Sequence, residues 1–397
     1  MVRSLYTLVP RACCQARSCW GGGRRWGRRE RLRGMGEDLR AFVRELPKVE
    51  LHAHLNGCVR EATLEELARQ AGGAEAAREA RRALEGPRDL EACFEVFSLV
   101  HRFATRPAAL ARLVRESLAD LGDDGVVYAE LRTTPKDRPA EGLSKRTYLE
   151  IVLAEMAKHN ADVARRRAGN GFCEGRLIVS IDRRESAEEA LTTARLAVEL
   201  AAESPLGRLL VGVDLSGNPA EGEWGSVEPA LAVARANGLP VTLHFAELPD
   251  RSAEGRSMLA FRPERLGHAV RADPALEAEL LQSGIPVEVC LTSNLMTKSV
   301  SGLDEHICAR LLRASHPVCL CTDDSGVFDT ALSKEYILAA HAFKLSQQEL
   351  FSLSLGALDL AFADGGLKAA LRERFAEAAT RWGVCMPEPR QARGIHT

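Results

Sequence analysis

Short apolar runs separated by longer amphipathic stretches set the plan of this chain. Eight such runs read as buried strands: 48–54, 126–132, 177–182, 209–215, 240–244, 265–268, 286–291 and 317–322. Between most of them the apolar residues fall at helical spacing, as Leu90, Phe94, Phe97 and Val100 do over 89–104. The same spacing predicts helices over 107–121, 144–166, 186–203, 226–237, 274–283, 304–314, 333–342, 346–360 and 365–381, and the Ala/Arg/Glu-rich run 72–85 reads as one more. Thr63 as N-cap with Glu66 three residues on reads as a capping box. Gly86-Pro87 breaks a helix, and Gly238 and Gly284 stop two others.

Strand alternating with helix implies a parallel sheet. Eight such units predict an α/β fold, a (β/α)8 TIM barrel with extra helices. An open doubly wound sheet is the alternative, but a Gly-rich phosphate loop of the dinucleotide-binding kind is absent.

Composition narrows the class. Of 397 residues 46% are hydrophobic and 27% charged, as in a globular domain with ample core. No run of 18 apolar residues suggests a membrane span. The net charge of −2 hides an asymmetry: residues 1–34 carry nine Arg and one acid, Glu30. Taking nine from 53 basic and one from 55 acidic residues leaves 44 and 54, a net of −10 for the rest. An acidic body argues against nucleic acid as a partner. Eleven cysteines without a CxxC pair read as reduced thiols in an intracellular compartment.

The chain divides into an Arg-rich extension (1–34), expected to be disordered, a barrel domain (35–384) and a polar tail (385–397). The extension has the composition of a mitochondrial transit peptide. A start at Met35, or a disordered tail, is favoured over that reading, so a cytoplasmic location and a monomer are expected.

The chemistry gathers where the strands end. His52 and His54 are one residue apart on a strand and so point the same way, close enough to grip one metal ion. Asn56 continues that face. Asp182 ends the third strand, Gly217 follows the fourth, His244 and Glu247 the fifth, His268 the sixth, Asp323 and Asp324 the eighth. In a barrel these ends share one mouth. Three histidines and an aspartate suit one Zn2+ with an open position for water. Hydrolysis then needs a group to manage the water, for which Asp324 and His268 are suited, and an acid for the substrate, for which Glu247 is suited.

The motifs HAHLNG, HFAE, LGHA, LTSN and CTDDSGVF, in this order over residues 46–360, resemble the adenosine/AMP deaminase family, and within it the branch acting on N6-methyl-AMP. The resemblance implies a metal-dependent hydrolase barrel with zinc on His52, His54, His244 and Asp323. It implies that Glu247 protonates the purine ring while His268 and Asp324 manage the attacking water, and that Gly217 lets its backbone approach the base. It also implies substrate contacts from His54, His101, Thr133, Thr134, Pro135, Lys136 and Asp182, residue types that suit phosphate and ribose. Adenosine deaminases proper carry an aspartate where this chain has Asn56; a neutral amide tolerates a 5′-phosphate that a carboxylate would repel. The expected reaction is therefore N6-methyl-AMP to IMP and methylamine. The rivals are adenosine deamination, a dinuclear amidohydrolase, which lacks its bridging lysine here, and a silent nucleotide-binding barrel.

Overall fold

The computed structural model describes residues 28–85, 90–104, 106–166 and 172–387. Eight strands form one parallel sheet in sequence order: β1 (Lys48–His54), β2 (Val126–Thr133), β3 (Glu174–Asp182), β4 (Leu210–Ser216), β5 (Val241–Phe245), β6 (Arg265–His268), β7 (Val287–Val289) and β8 (Val318–Leu320). Each strand from β2 to β8 pairs in parallel with the one before it. The ring then closes past the end of β8. There the Asp323 N–H donates to the His52 carbonyl and the His54 N–H donates to the Asp323 carbonyl, both at 2.8 Å. One layer below, the Glu50 carboxylate accepts from the Thr322 N–H at 3.0 Å and its hydroxyl at 2.9 Å. The predicted (β/α)8 barrel is the fold.

Outside the ring, helices cover the strands with apolar stripes. The helix Lys145–Arg166 buries Tyr148, Leu149, Val152 and Met156, spaced three or four apart, so that one face is shut from water. The barrel interior is different. Glu50, Glu130, Arg132, Asp214, Thr242, Arg265 and Glu288 are all fully buried there. Charges in such a place persist only when paired, and these are: Arg132 Nη1 reaches Asp214 Oδ1 at 3.2 Å and its Nη2 reaches Glu288 Oε2 at 2.9 Å. Arg265 spans Glu130 and Glu288 at 2.5 and 2.6 Å.

Several expectations change. The helix Glu61–Ala83 starts two residues ahead of Thr63, without a side-chain cap. Thr63 is buried, and its hydroxyl donates instead to Glu116 at 2.6 Å, while Glu66 is taken by Arg112. The run 72–85 continues that helix across a kink at Gly72 and Gly73. β7 is only three residues long, so Thr292, Ser293 and Asn294 lie on the short helix Leu291–Met296 rather than at a strand end. A helix at Ser252–Phe261 was not expected, because only Gly255, Met258 and Leu259 of it are buried and polar residues mask the pattern.

Residues from Leu39 onward form one compact unit. Of the described residues before Leu39, Arg28 onward lie in the helix Arg28–Glu45. Residues 1–27, Gly86-Pro87 and 388–397 lie outside the described residues. Among the described residues no helix is long and apolar enough to cross a membrane.

Candidate active site

Strand alternation sends His52 and His54 of β1 to the barrel axis. The His52 Nδ1–H donates to Glu288 Oε2 at 2.6 Å, which leaves the lone pair on Nε2. That Nε2 is buried without a hydrogen-bond partner and faces Asp323 Oδ1 at 3.4 Å. His244 is held the same way: its Nδ1–H donates to the Leu215 carbonyl at 2.9 Å, with Asp214 Oδ1 at 3.2 Å. Its Nε2 lies 3.1 Å from the Nε2 of His54, which is itself 3.4 Å from Asp323 Oδ1. Two ring nitrogens so close need a cation between them, a proton or a metal. Outer partners that lock Nδ1 and free Nε2 are the usual support of histidine metal ligands. The residues present thus fit a divalent transition ion.

The tightest grouping of ligand atoms is His52, His244, His268 and Asp323, all within 4.8 Å of one another. It takes in His268 and leaves out His54. The two oxygens of Asp323 separate these histidines. Oδ1 faces His52 and His54, whereas Oδ2 accepts from the Ser293 hydroxyl at 2.7 Å and lies 3.9 Å from His268 Nε2. Asp323 reaches both sides with a backbone φ of +63°, and His268 has a φ of +66°. Such strain in non-glycine residues gathers at functional sites.

Burial sets the protonation of these groups. It pushes the His54 and His268 imidazoles down, His268 to about 3. It also pulls at His244, but the Asp214 carboxylate more than offsets it and brings that imidazole to about 9. The Glu247 carboxyl is raised by burial, with Asp323 adding to the effect, and Asp324 is raised further by the same two causes. Asp323 is held well below the carboxylate range, since the histidines around it outweigh its burial. The mouth thus pairs one carboxylate held toward its ionised form with two pushed toward their protonated forms.

One cavity takes in every predicted site residue except His52, which lies buried beneath its floor, and Pro135. Pro135 was expected to touch substrate. It is buried outside the lining, while Thr134 and Lys136 on either side of it line the cavity. Asn56 lies past the end of β1 in a turn rather than on the strand, and lines the cavity. Its Oδ1 is buried without a hydrogen-bond partner, and nearby the Tyr148 hydroxyl meets Thr133 Oγ1 at 2.8 Å. Gly57 is required next to it: a Cβ there would lie 1.7 Å from Asp324 Oδ1. Gly217, at a φ of +106°, presents bare backbone to the cavity.

The far end of the cavity is cationic. Lys136, His101 and Arg184 meet there, and burial followed by those two cations brings the His101 imidazole to about 3. Asp182 is bound by Arg184 through both oxygens, at 2.9 and 2.6 Å, which holds its carboxyl low despite burial. Arg184 was missed from sequence, as were the orienting residues Arg132, Asp214 and Glu288. A signal existed for the last three: single charges at alternate positions of otherwise apolar strands, as in Glu-Leu-Arg and Val-Glu-Val.

Comparison with known proteins places this geometry. A model of the family "Adenosine deaminase" matches residues 47–378. The chain is 42% identical over 355 residues to the N6-mAMP deaminase of Arabidopsis thaliana, covering 85% of this chain and 98% of that protein. A crystal structure of Arabidopsis N6-mAMP deaminase superposes with a TM-score of 0.79 over 85% of this chain and 99% of the other. The structure of Arabidopsis ADAL complexed with IMP is similar too, with a TM-score of 0.78 at 40% identity, covering 87% of this chain and 99% of that one.

Proposed function

The chain belongs to the adenosine deaminase family, and on that footing we propose that it hydrolyses the 6-alkylamino group of purine nucleoside monophosphates, N6-methyl-AMP first among them, to give IMP and the amine. The observation that carries the nucleotide reading is the cavity lining, which holds partly buried Lys136 with Arg184 and His101 and also holds the uncharged Asn56. The ammonium of partly buried Lys136, with the half-exposed Arg184 guanidinium and no carboxylate in the place of Asn56, suits a 5′-phosphate. The names of the relatives, and a neighbour complexed with IMP, support the same choice.

His52, His54, His244 and Asp323 would hold zinc, for which His52 Nε2 is the orphaned buried atom. Zinc there would supply the Lewis acidity that makes a water nucleophilic near neutral pH. Glu247, which burial pushes toward its protonated form, gives its proton to the purine ring nitrogen as the ring carbon accepts oxygen. Asp324 was expected to manage the attacking water with His268; pushed toward its protonated form by burial and Asp323, it is better suited to donate a hydrogen bond to a second ring nitrogen. His268 sits 3.9 Å from both Glu247 Oε1 and Asp323 Oδ2, on the side where the water must approach. Gly217 lets the base lie against backbone.

Purified chain assayed with N6-methyl-AMP, AMP and adenosine tests the reading. IMP and methylamine should form from the first, faster than product from the other two. Rapid turnover of adenosine with none of the methylated nucleotide overturns it.

A further inference from the structure

Behind His268 runs a hydrogen-bond chain whose direction is fixed by the backbone. His306 caps the helix Ile307–Arg313, and its Nδ1 accepts the Cys308 N–H at 3.0 Å. A backbone N–H can only donate, so that nitrogen carries the lone pair. His306 is fully buried and burial brings its imidazole to about 4, so the ring is neutral and its one proton is on Nε2. Nε2 faces Asn294 Oδ1 at 3.2 Å, and therefore donates to it. The amide of Asn294 is thereby oriented, and its Nδ2–H donates to His268 Nδ1 at 3.2 Å. His268 must keep its lone pair on Nδ1 and its proton on Nε2, the nitrogen that faces the cavity.

We propose that Asn294 and His306 are positioning residues that hold His268 as its Nε2–H tautomer, so that His268 enters the reaction as a hydrogen-bond donor to the attacking oxygen and not as the base that takes its proton; that proton passes to Glu247, which has by then given its own to the ring nitrogen and hands this one on to the departing amine. A second geometric fact agrees. His268 Nε2 points between two carboxyl groups, 3.9 Å from Glu247 Oε1 and 3.9 Å from Asp323 Oδ2. A proton there is favoured by the ionised Asp323, whereas a lone pair would face its oxygen. The catalytic part of the proposal rests on the deaminase reading above; the tautomer does not.

The test is a long-range 1H–15N correlation spectrum of the zinc-loaded full chain labelled at histidine. His268 should show a protonated Nε2 and an unprotonated Nδ1. In Asn294→Asp the carboxylate accepts from Nδ1–H, so the two nitrogens should exchange character. With N6-methyl-AMP, kcat of that variant should fall on the order of a hundredfold with KM nearly unchanged, the share typical of one misplaced proton. A wild-type His268 with bare Nε2 overturns the proposal, even if the variant fails to fold. An exchanged tautomer with full kcat overturns the donor role. The spectrum needs no substrate, so failure of the substrate assignment would leave the tautomer result standing.

Discussion

Glu288 is the carboxylate on which the ion-binding end of the barrel turns, and replacing it by glutamine separates its charge from its shape. Four donors converge on it: the His52 Nδ1–H at 2.6 Å and Arg132 Nη2 at 2.9 Å on Oε2, Arg265 Nε at 2.6 Å and the Thr242 hydroxyl at 2.9 Å on Oε1. An amide has one oxygen. Whichever way it lies, its NH2 faces two donors and loses two bonds. With hydrogen bonds to charged groups worth about 1.5–3 kcal/mol each, the zinc-free chain should lose about 3–6 kcal/mol, in line with the cost of breaking a buried pair. His52 loses its acceptor when the NH2 takes the Oε2 side, and otherwise keeps only a neutral amide oxygen in place of a carboxylate. About 1.5–3 kcal/mol less orientation energy corresponds to roughly 10- to 150-fold weaker zinc binding, at 1.36 kcal/mol per factor of ten. Urea unfolding of the zinc-free protein measures the first quantity, and chelator competition at fixed pH the second. Glu279→Gln, which removes only an exposed partner of Arg256, should change stability by less than about 1 kcal/mol. Zinc affinity within about threefold of wild type (roughly 0.7 kcal/mol) would refute the reasoning.

Three further outcomes are expected. Asn56→Asp should lower kcat/KM for N6-methyl-AMP by about two orders of magnitude, the effect of a like charge at ~5 Å and an effective dielectric of ~20, while adenosine turnover holds or rises; the ratio of the two is the measurement. Gly57→Ala brings a Cβ to 1.7 Å from Asp324 Oδ1, so that side chain must move, and kcat should drop on the order of a hundredfold in steady-state assays with the melting temperature checked alongside. Glu247→Gln should cost about 10²–10⁴ in kcat. Because burial raises the Glu247 pKa and the protonated form is the active one, wild-type rate falls as pH climbs through that raised value, and the glutamine variant should lack this alkaline limb in its pH profile.

The barrel was legible because each strand is an apolar run bounded by glycine, proline or a polar cluster, and the site because its ligands stand just past those runs. His52 with His54, and Asp323 with Asp324, needed only strand periodicity to be placed. What stayed hidden depends on contacts far apart in sequence. Thr63 has the local pattern of a cap, yet Glu116, which lies on another helix, takes its hydroxyl. Asn294 looked like a strand-end residue, since nothing local marks where β7 yields to helix. The partnership of Arg132 with Asp214 and Glu288 joins β2, β4 and β7, and no spacing rule reaches across those distances. Arg184 was passed over because an arginine after a strand is ordinarily just solvated surface.

The closure between β8 and β1 bears on how the protein is made. Glu50 and Thr322, which meet across it, are 272 positions apart, so during synthesis β1 leaves the ribosome long before its last neighbour exists. Until then the growing sheet has a bare edge, the kind of surface on which nascent chains stick to one another. β1 is ill suited to such sticking, because Lys48, Glu50, His52 and His54 put a charged or ionisable group at every second position. His52 and His54, proposed above as ion ligands, would thus first serve with Lys48 and Glu50 as a guard on an unfinished edge, and substitutions that make any of the four apolar should be read for yield and aggregation as well as for turnover.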